Sequence, residues 1–157
     1  MAHVTACING RDERFEPDPT ETLLDALRSR LYLRGVKDGC REGQCGACTV
    51  LLDGKPVDAC LYPARAIDGR CIETAEGLSD PVGVAVQAAM SAGGGIQCGY
   101  CTPGMVTMLT GLLRENPDPD ESLIRQALAG NLCRCTGYAQ IVEAALSAAS
   151  SLRRRPS

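Results

Sequence analysis

Residues 39–48 read Gly-Cys-Arg-Glu-Gly-Gln-Cys-Gly-Ala-Cys, which places three cysteines within ten residues. The three glycines of this stretch permit tight turns, because a residue without a Cβ atom readily adopts positive φ. A fourth cysteine, Cys60, follows after Asp53-Gly54, a dipeptide typical of a β-hairpin turn. The sequence therefore predicts a loop that wraps three thiols around one centre, with a fourth thiol closing it from beyond a hairpin.

The spacing of these four cysteines identifies the centre that they would hold. Cys40, Cys45, Cys48 and Cys60 follow the pattern of a plant-type 2Fe–2S ferredoxin. Loop N–H groups would donate hydrogen bonds to the cluster sulfurs and tune its potential. The alternative is a structural zinc site, but zinc ligands favour paired Cys-x2-Cys knuckles. We therefore predict a 2Fe–2S cluster in this loop.

Four more cysteines form a second set in the other half of the chain. Cys98 and Cys101 form one pair, and Cys133 and Cys135 form the other; a predicted helix starts just after each pair. Unpaired N–H groups and the helix dipole at such a start favour the charged thiolate that a metal needs. Two helix ends facing each other would enclose one cluster. Spacing alone leaves zinc open here, because four thiolates also suit zinc.

The pattern around the cysteines predicts an α+β fold with two domains. The first domain, residues 1–78, reads as strands around one helix, in which Thr20 caps a leucine-rich face. The second domain, residues 79–157, reads as four helices, with Asp80 and Asp120 as N-caps and Thr102-Pro103 as another helix start. The predicted strands are His3–Ile8, Arg11–Glu16, Thr49–Leu52, Lys55–Ala59 and Arg70–Thr74.

Composition and charge narrow the function classes. The net charge of −3 and the lack of a basic stripe interleaved with aromatics argue against a nucleic-acid partner. No run of 18 apolar residues is present, so no transmembrane span is expected. Met1 to Thr5 carry no targeting signal, and we expect a cytoplasmic protein. Ten cysteines in that compartment indicate metal ligation rather than a disulfide scaffold.

The remaining chemistry-bearing residues do not suggest bond-making catalysis. The only histidine is His3, and no glycine-rich phosphate loop is present, so we expect no catalytic residue in this chain. Cys7 and Cys71 belong to neither set. Each lies on a predicted strand, where cysteine usually behaves as a small buried hydrophobe.

Taken together, the cysteine loop through Val50, the segment from Gln97 to Gly104 and the segment from Asn131 to Tyr138 resemble a known family. This family is the iron–sulfur subunit of the molybdenum hydroxylases, which are relatives of xanthine dehydrogenase, aldehyde oxidoreductase and carbon monoxide dehydrogenase. The resemblance runs from about His3 to Ala148 and contains both motifs in order.

The resemblance implies a β-grasp ferredoxin domain followed by a four-helix domain with the second 2Fe–2S cluster. It also implies a large molybdopterin-binding subunit and, usually, an FAD-binding subunit as partners. Electrons would pass from molybdenum to the helical-domain cluster, then to the ferredoxin cluster, then to flavin. In this family, residues matching Gln97 and Cys135 lie against the pterin, and the loop matching Glu42 to Gly46 faces the flavin.

Two other functions are compatible with parts of the sequence. A free-standing ferredoxin-like carrier needs only one exposed cluster, and a zinc-stabilised interaction module would not need the ferredoxin loop. The second domain favours a subunit of a larger oxidoreductase. On this interpretation we expect the helical-domain ligands to face inward and the ferredoxin loop to lie nearer the surface.

Overall fold

The computed structural model describes residues 3–154, and its first half is a mixed five-stranded sheet with one helix packed across it. The strand order is β2-β1-β5-β3-β4, and the only parallel pair in this sheet is β1 with β5. This is the β-grasp arrangement that the family resemblance implies. The strands are β1 (Val4–Ile8), β2 (Arg11–Phe15), β3 (Thr49–Leu52), β4 (Lys55–Asp58) and β5 (Cys71–Glu73).

The alternation of β1 explains how this sheet buries one face. Val4, Ala6 and Ile8 are buried, whereas Thr5 and Cys7 point to the other face of the sheet. Successive side chains of a strand lie on opposite faces, so this pattern fixes the register of the strand.

The first helix begins two residues later than predicted. Helix α1 (Leu23–Asp25) continues as a π-helical segment, Ala26–Arg30. Its N-cap is Thr22, not Thr20, because the Thr22 hydroxyl accepts a hydrogen bond from the Asp25 N–H at 3.2 Å. Thr22 stands three residues before Asp25, which is a usual spacing between an N-cap side chain and the N–H group from which it accepts a hydrogen bond.

The second half contains four helices among the described residues, as predicted. Asp80 and Asp120 cap α2 and α4 through hydrogen bonds to Gly83 and Leu123. Thr102 does not cap α3 as expected; it is the first helical residue, and Cys101 occupies the cap position. The helices are α2 (Pro81–Ala92), α3 (Thr102–Glu115), α4 (Glu121–Ala127) and α5 (Ala139–Arg153).

The helical half packs directly on the sheet. The side chain of Leu51, on β3, belongs to the core of the helices rather than to the core beneath the sheet. Gly111 permits this approach of α3, because a Cβ atom there would lie 2.9 Å from Leu51 Cδ2. The proposed division between residues 78 and 79 stays a prediction.

An ion-pair cluster joins the two halves beside this contact. Arg114 on α3 makes two hydrogen bonds to the Glu73 carboxylate, at 2.8 and 2.9 Å, and another at 2.9 Å to Asp80. The hydrogen bond from Arg114 lowers the pKa of Asp80. The arginine therefore ties the last strand, β5, to the first turn of α2.

No helix within residues 3–154 combines the length and apolar character needed to cross a membrane. The basic C-terminal run is described only as far as Arg154, and its Arg153 pairs with Asp118; Arg155 lies outside the described residues.

We expect Arg114→Met to lower the stability of the assembled protein by about 1–2 kcal/mol at neutral pH, because two carboxylates lose a partly buried partner. Thermal unfolding followed by circular dichroism should show a midpoint lower by roughly 2–6 °C. The pKa of Asp80 is lower in the folded protein than in the unfolded chain, where it is near 4, so ionised Asp80 stabilises the fold above that pH. This contribution is lost as the pH falls through the pKa of the folded state. The difference from the parent should therefore shrink in acid.

Arg125→Met is the matched control, because Arg125 pairs with exposed Glu121 one helical turn away on the same helix. It should change the midpoint by less than about 1–2 °C. Equal effects of the two substitutions would contradict a specific role for Arg114.

Candidate iron–sulfur centres

The ferredoxin loop directs backbone N–H groups at its sulfurs. The Sγ atom of Cys40 accepts hydrogen bonds from the N–H groups of Glu42 and Gln44, at 3.4 and 3.3 Å. The Cys40 N–H in turn donates to Cys45 Sγ at 3.4 Å. Such donors stabilise a charged thiolate, which is the form that ligates iron.

The four thiols of this set interact in two pairs. Cys40 interacts with Cys45, and Cys48 interacts with Cys60. The two N–H donors from Glu42 and Gln44 lower the pKa of Cys40 to about 7. Burial raises the pKa of Cys48 to about 12. One pair thus lies at the outer, hydrogen-bonded side of the loop and the other at its buried side.

Backbone geometry explains why the loop contains glycine and how it is anchored. A Cβ atom at position 39 would lie 2.6 Å from Cys45 Sγ, so no larger residue fits there without movement of the ligand. Arg41 adopts positive φ, 58°, and pairs with Asp25 on α1 and with Asp38. The loop is therefore fixed to the helix that packs across the sheet.

The helical-domain set shows the same pairing. Cys101 interacts with Cys133, and Cys98 interacts with Cys135. Burial raises the pKa of Cys101 to about 12. Burial alone would also raise the pKa of Cys133, but hydrogen bonds from the Thr136 hydroxyl and N–H lower it to about 7.

The expected exposure of the two sets was wrong. Cys98 and Cys135 are exposed and Cys101 and Cys133 are half-buried, so one side of the helical-domain set opens to the surface. In the ferredoxin loop the thiols of Cys48 and Cys60 are buried, and the other two are half-buried. The reason is positional. The helical-domain ligands lie on loops at one end of the helices, and the sheet and α1 cover the inner ferredoxin pair.

Tyr138 organises the loop that carries Cys133, a role that the sequence did not reveal. Its hydroxyl accepts a hydrogen bond from the Cys133 N–H at 2.9 Å and donates one to the Asn131 carbonyl at 2.7 Å. Tyr138 itself has positive φ, 71°, directly before α5. The segment from Asn131 to Tyr138 is thereby closed into a compact loop.

The two ligand loops touch each other through backbone groups. The Leu132 N–H donates to the Cys45 carbonyl at 2.8 Å. Gly104, in the first turn of α3, also lies against this loop, because a Cβ atom there would clash with the Gly46 carbonyl oxygen. The hydroxyl of Tyr100 donates to the Asp38 carbonyl at 2.5 Å.

The buried side chain of Asn131 holds this contact. Its amide Nδ2 donates to the Gly46 carbonyl and to the Thr49 hydroxyl, both at 3.0 Å. Asn131 is 85 residues from Gly46 in the chain, and no local pattern marks it as a partner of the loop.

The donor sets fit binuclear clusters. Each set would offer four thiols, arranged as two interacting pairs, and four thiolates are what a 2Fe–2S cluster needs. Within residues 3–154, no three histidine, cysteine, aspartate or glutamate side chains converge in the way that a single metal ion requires. When bound, each cluster would accept and release one electron at a time.

Comparison with known proteins agrees with this geometry. Residues 7–78 match a family model described as a 2Fe-2S iron-sulfur cluster binding domain, and residues 74–146 match one described as a 2Fe-2S binding domain. The nicotine 6-hydroxylase small subunit of Paenarthrobacter nicotinovorans is 48% identical over 141 residues, which are 90% of this chain and 86% of that one. The aldehyde oxidoreductase iron-sulfur-binding subunit of Escherichia coli K12 is 40% identical over 166 residues, covering 96% and 72%.

The chain belongs to the small iron–sulfur subunits of the molybdenum hydroxylases. Like them, this subunit transfers electrons and contains two 2Fe–2S domains. Solved structures agree. In quinoline 2-oxidoreductase from Pseudomonas putida 86, the match covers 98% of this chain and 96% of the other, at 42% identity and a TM-score of 0.90. In the Desulfovibrio gigas aldehyde oxidoreductase, the same fold occupies 18% of a longer chain, with a TM-score of 0.92 and 40% identity.

The structure pairs Cys40 with Cys45, Cys48 with Cys60, Cys101 with Cys133 and Cys98 with Cys135, whereas Cys7 and Cys71 lie on β1 and β5. We propose that Cys40, Cys45, Cys48 and Cys60 hold one cluster of this subunit. Cys98, Cys101, Cys133 and Cys135 would hold the other. Gln97, the predicted pterin contact, is exposed next to exposed Cys98, and Cys135 interacts with Cys98 from the facing loop.

We expect Cys48→Ser to lower the iron content of the purified subunit from about four to about two atoms per chain, because it removes one buried ligand of one cluster. Metal analysis measures the iron content, and electron paramagnetic resonance (EPR) of the reduced protein shows which cluster is present. The EPR signal of the helical-domain cluster should remain.

Cys101→Ser should give the reciprocal result, and Cys71→Ser, which changes an exposed cysteine outside both sets, should keep four iron atoms. Stoichiometric zinc in the parent protein, or loss of both signals from folded Cys48→Ser protein, would contradict the assignment.

Proposed function

We propose that this subunit carries electrons between a large molybdopterin-binding subunit and either an FAD-binding subunit or an external acceptor. The helical-domain set would receive electrons from the molybdenum centre, and the ferredoxin set would pass them on. The substrate site of such an enzyme would lie in the partner. The names of the relatives indicate the class of reaction, because they include a nicotine hydroxylase and aldehyde oxidoreductases.

The observation that carries this proposal is the direct contact between the two ligand loops. From Cys133, one peptide step leads to Leu132, whose N–H donates to the carbonyl of Cys45 at 2.8 Å. The path from Cys133 to Cys45, a ligand of the other set, therefore contains only covalent bonds and this one hydrogen bond. A chain whose two centres acted independently would not require that contact.

Two exposed surfaces support a relay between partners. One consists of Gln97, Cys98 and Cys135, where two predicted ligands are open to solvent in the isolated chain. A partner covering this surface would exclude water from that set. The other surface lies on the ferredoxin loop, where Arg41, Glu42 and Gln44 are exposed. Each set therefore has a side through which a separate partner would approach.

A free-standing carrier is the second candidate, and the exposure of Cys98 and Cys135 is the observation in its favour. The two candidates differ in their partners. Purification of the chain from its native source, with identification of stoichiometric co-purifying subunits by mass, separates them. A molybdopterin-containing partner supports the proposal, and a chain that purifies alone with full activity as a carrier contradicts it.

We expect Gln97→Ala to slow reduction of the clusters by substrate in the intact complex about tenfold, while both clusters remain assembled. A polar side chain that contacts a cofactor contributes about 1–3 kcal/mol, which corresponds to roughly a tenfold change in rate or more. Stopped-flow absorbance of the clusters after mixing with substrate measures the rate.

Gln126→Ala is the matched control, because Gln126 is an exposed glutamine on α4 and belongs to neither ligand motif. It should leave the rate unchanged. Unchanged kinetics in Gln97→Ala with bound pterin would remove this side chain from the transfer step. A defect confined to flavin reduction would place the helical-domain cluster at the wrong end of the relay.

We expect Asn131→Ala to loosen the contact between the ligand loops, since the Gly46 carbonyl and the Thr49 hydroxyl lose a buried partner, at about 1–3 kcal/mol. EPR of the fully reduced subunit should show weaker magnetic interaction between the two clusters. Asn116→Ala, in the turn between α3 and α4, is the control and should retain the parent spectrum. An unaltered spectrum in Asn131→Ala would show that the contact does not depend on this amide.

A further inference from the structure

Cys7 and Cys71 were expected to be buried hydrophobes, and the structure shows otherwise. Cys71 is exposed and Cys7 is half-buried. They occupy directly paired positions on β1 and β5, the parallel strands in the middle of the sheet. Both side chains lie on the sheet face opposite the buried Ile8 and Ile72, and the two thiols interact with each other. The sequence alone gave no reason to pair them, because 64 positions separate them.

The backbone holds this pair at a spacing that a disulfide accepts. Neighbouring strands lie about 4.8 Å apart, which is within the Cα–Cα range of about 4.4–6.8 Å that disulfides span. The Cys7 N–H donates to the Arg70 carbonyl at 2.9 Å, and the Cys71 N–H donates to Asp53 Oδ1 at 2.8 Å. These hydrogen bonds hold the backbone of both cysteines in place, and both side chains project from the same face of the sheet.

A small reagent has access to the pair. A groove of about 330 Å³ runs beside the two cysteines, and its lining includes Asn9, Glu73 and Ser79. Cys71 is the more exposed thiol, so it would meet an incoming reagent first, with Cys7 positioned behind it.

The charges around the pair restrain its reactivity. Asp12 on β2 is paired with Cys7 across the sheet, and Asp53 lies in the β3–β4 turn, where Arg70 binds its carboxylate. Glu73 follows on β5. The contact with the Cys7 thiol, followed by burial and the nearby carboxylates, raises the pKa of Cys71. Because the thiolate is the attacking species, the pair should react slowly at neutral pH and faster as pH rises.

We propose that Cys7 and Cys71 are a redox-active dithiol, separate from both clusters, which a low-molecular-weight disulfide converts to an intramolecular disulfide. The Cys71 thiolate attacks one sulfur of the reagent and forms a mixed disulfide, and one reagent thiol leaves. The Cys7 thiolate then attacks the Cys71 sulfur of the mixed disulfide, and the second reagent thiol leaves. The protein loses two electrons and two protons, and the reagent is reduced to two thiols.

The bond would also enclose the ferredoxin set. Cys40, Cys45, Cys48 and Cys60 all lie between residues 7 and 71 in the chain. The proposed disulfide thus closes a covalent loop that contains every predicted ligand of that set, while the thiols that bind iron take no part in the exchange.

The test uses the full chain with both clusters assembled, incubated anaerobically with oxidised glutathione at mildly alkaline pH. Intact mass and non-reducing peptide mapping identify the product, and visible absorbance follows the clusters. We expect the parent to lose two hydrogen atoms, to yield a peptide linked through Cys7 and Cys71, and to retain its cluster absorbance. A dithiol reductant should reverse the change.

Single variants test the order of the steps. Cys7→Ser should stop at a mixed disulfide on Cys71, and Cys71→Ser should react at least about fivefold more slowly than the parent, since its remaining thiol is less exposed. Asp12→Asn should speed the first step roughly two- to fivefold by removing a nearby negative charge.

Four outcomes would overturn the proposal. In the parent protein, three of them are no reaction at either cysteine, a mixed disulfide that persists beside a free Cys7 thiol, and a disulfide between two chains. Loss of cluster absorbance in step with oxidation would also overturn it, because the exchange would then involve a cluster ligand.

Discussion

A buried amide joins the ligand loops of the two halves of this subunit. Asn131 donates to the Gly46 carbonyl and the Thr49 hydroxyl, and these bonds bring a loop from between α4 and α5 onto the ferredoxin loop. Leaving such groups buried without partners would cost about 1–3 kcal/mol each, so the loops have little freedom to separate. The bridge from Leu132 to Cys45 and the close approach of Gly104 lie at the same contact.

Each set contains a thiol with a lowered pKa and a thiol with a raised pKa. Cys40 and Cys133 have lowered pKa values because N–H or hydroxyl donors reach their sulfurs, whereas burial raises the pKa of Cys48 and of Cys101. Without metal, the raised pKa values would keep the thiols of Cys48 and Cys101 protonated at neutral pH. Cluster binding would then release protons from the buried thiols, with the iron supplying the compensating charge.

Local signals in the sequence predicted local structure well. The Asp53-Gly54 turn, the caps at Asp80 and Asp120 and the glycine loop were predicted correctly, because each depends on residues within a few positions. Thr22 was missed as the first cap, since two threonines stand close together and only hydrogen-bond geometry distinguishes them.

Features that depend on distant residues were not predictable in the same way. The exposure of Cys98 and Cys135 depends on how the helices pack against each other, which the spacing of apolar residues in the sequence does not indicate. The role of Asn131 requires contact across 85 positions. The pairing of Cys7 with Cys71 depends on the parallel placement of β1 beside β5, which the strand pattern alone did not specify.

The glycine contact between the halves has a consequence for building chimaeras. A Cβ atom at position 104 would meet the Gly46 carbonyl oxygen, and one at position 46 would meet the Gly130 carbonyl oxygen and the Asn131 amide. The fit therefore sets main chain against main chain and against the hydrogen-bonded Asn131 amide, which leaves little room to absorb a mismatch. A helical half exchanged from a relative would dock on this sheet only if it brought the small residue at 104 and the amide at 131 together. The two halves form separate cores, yet they are interchangeable only as a matched pair.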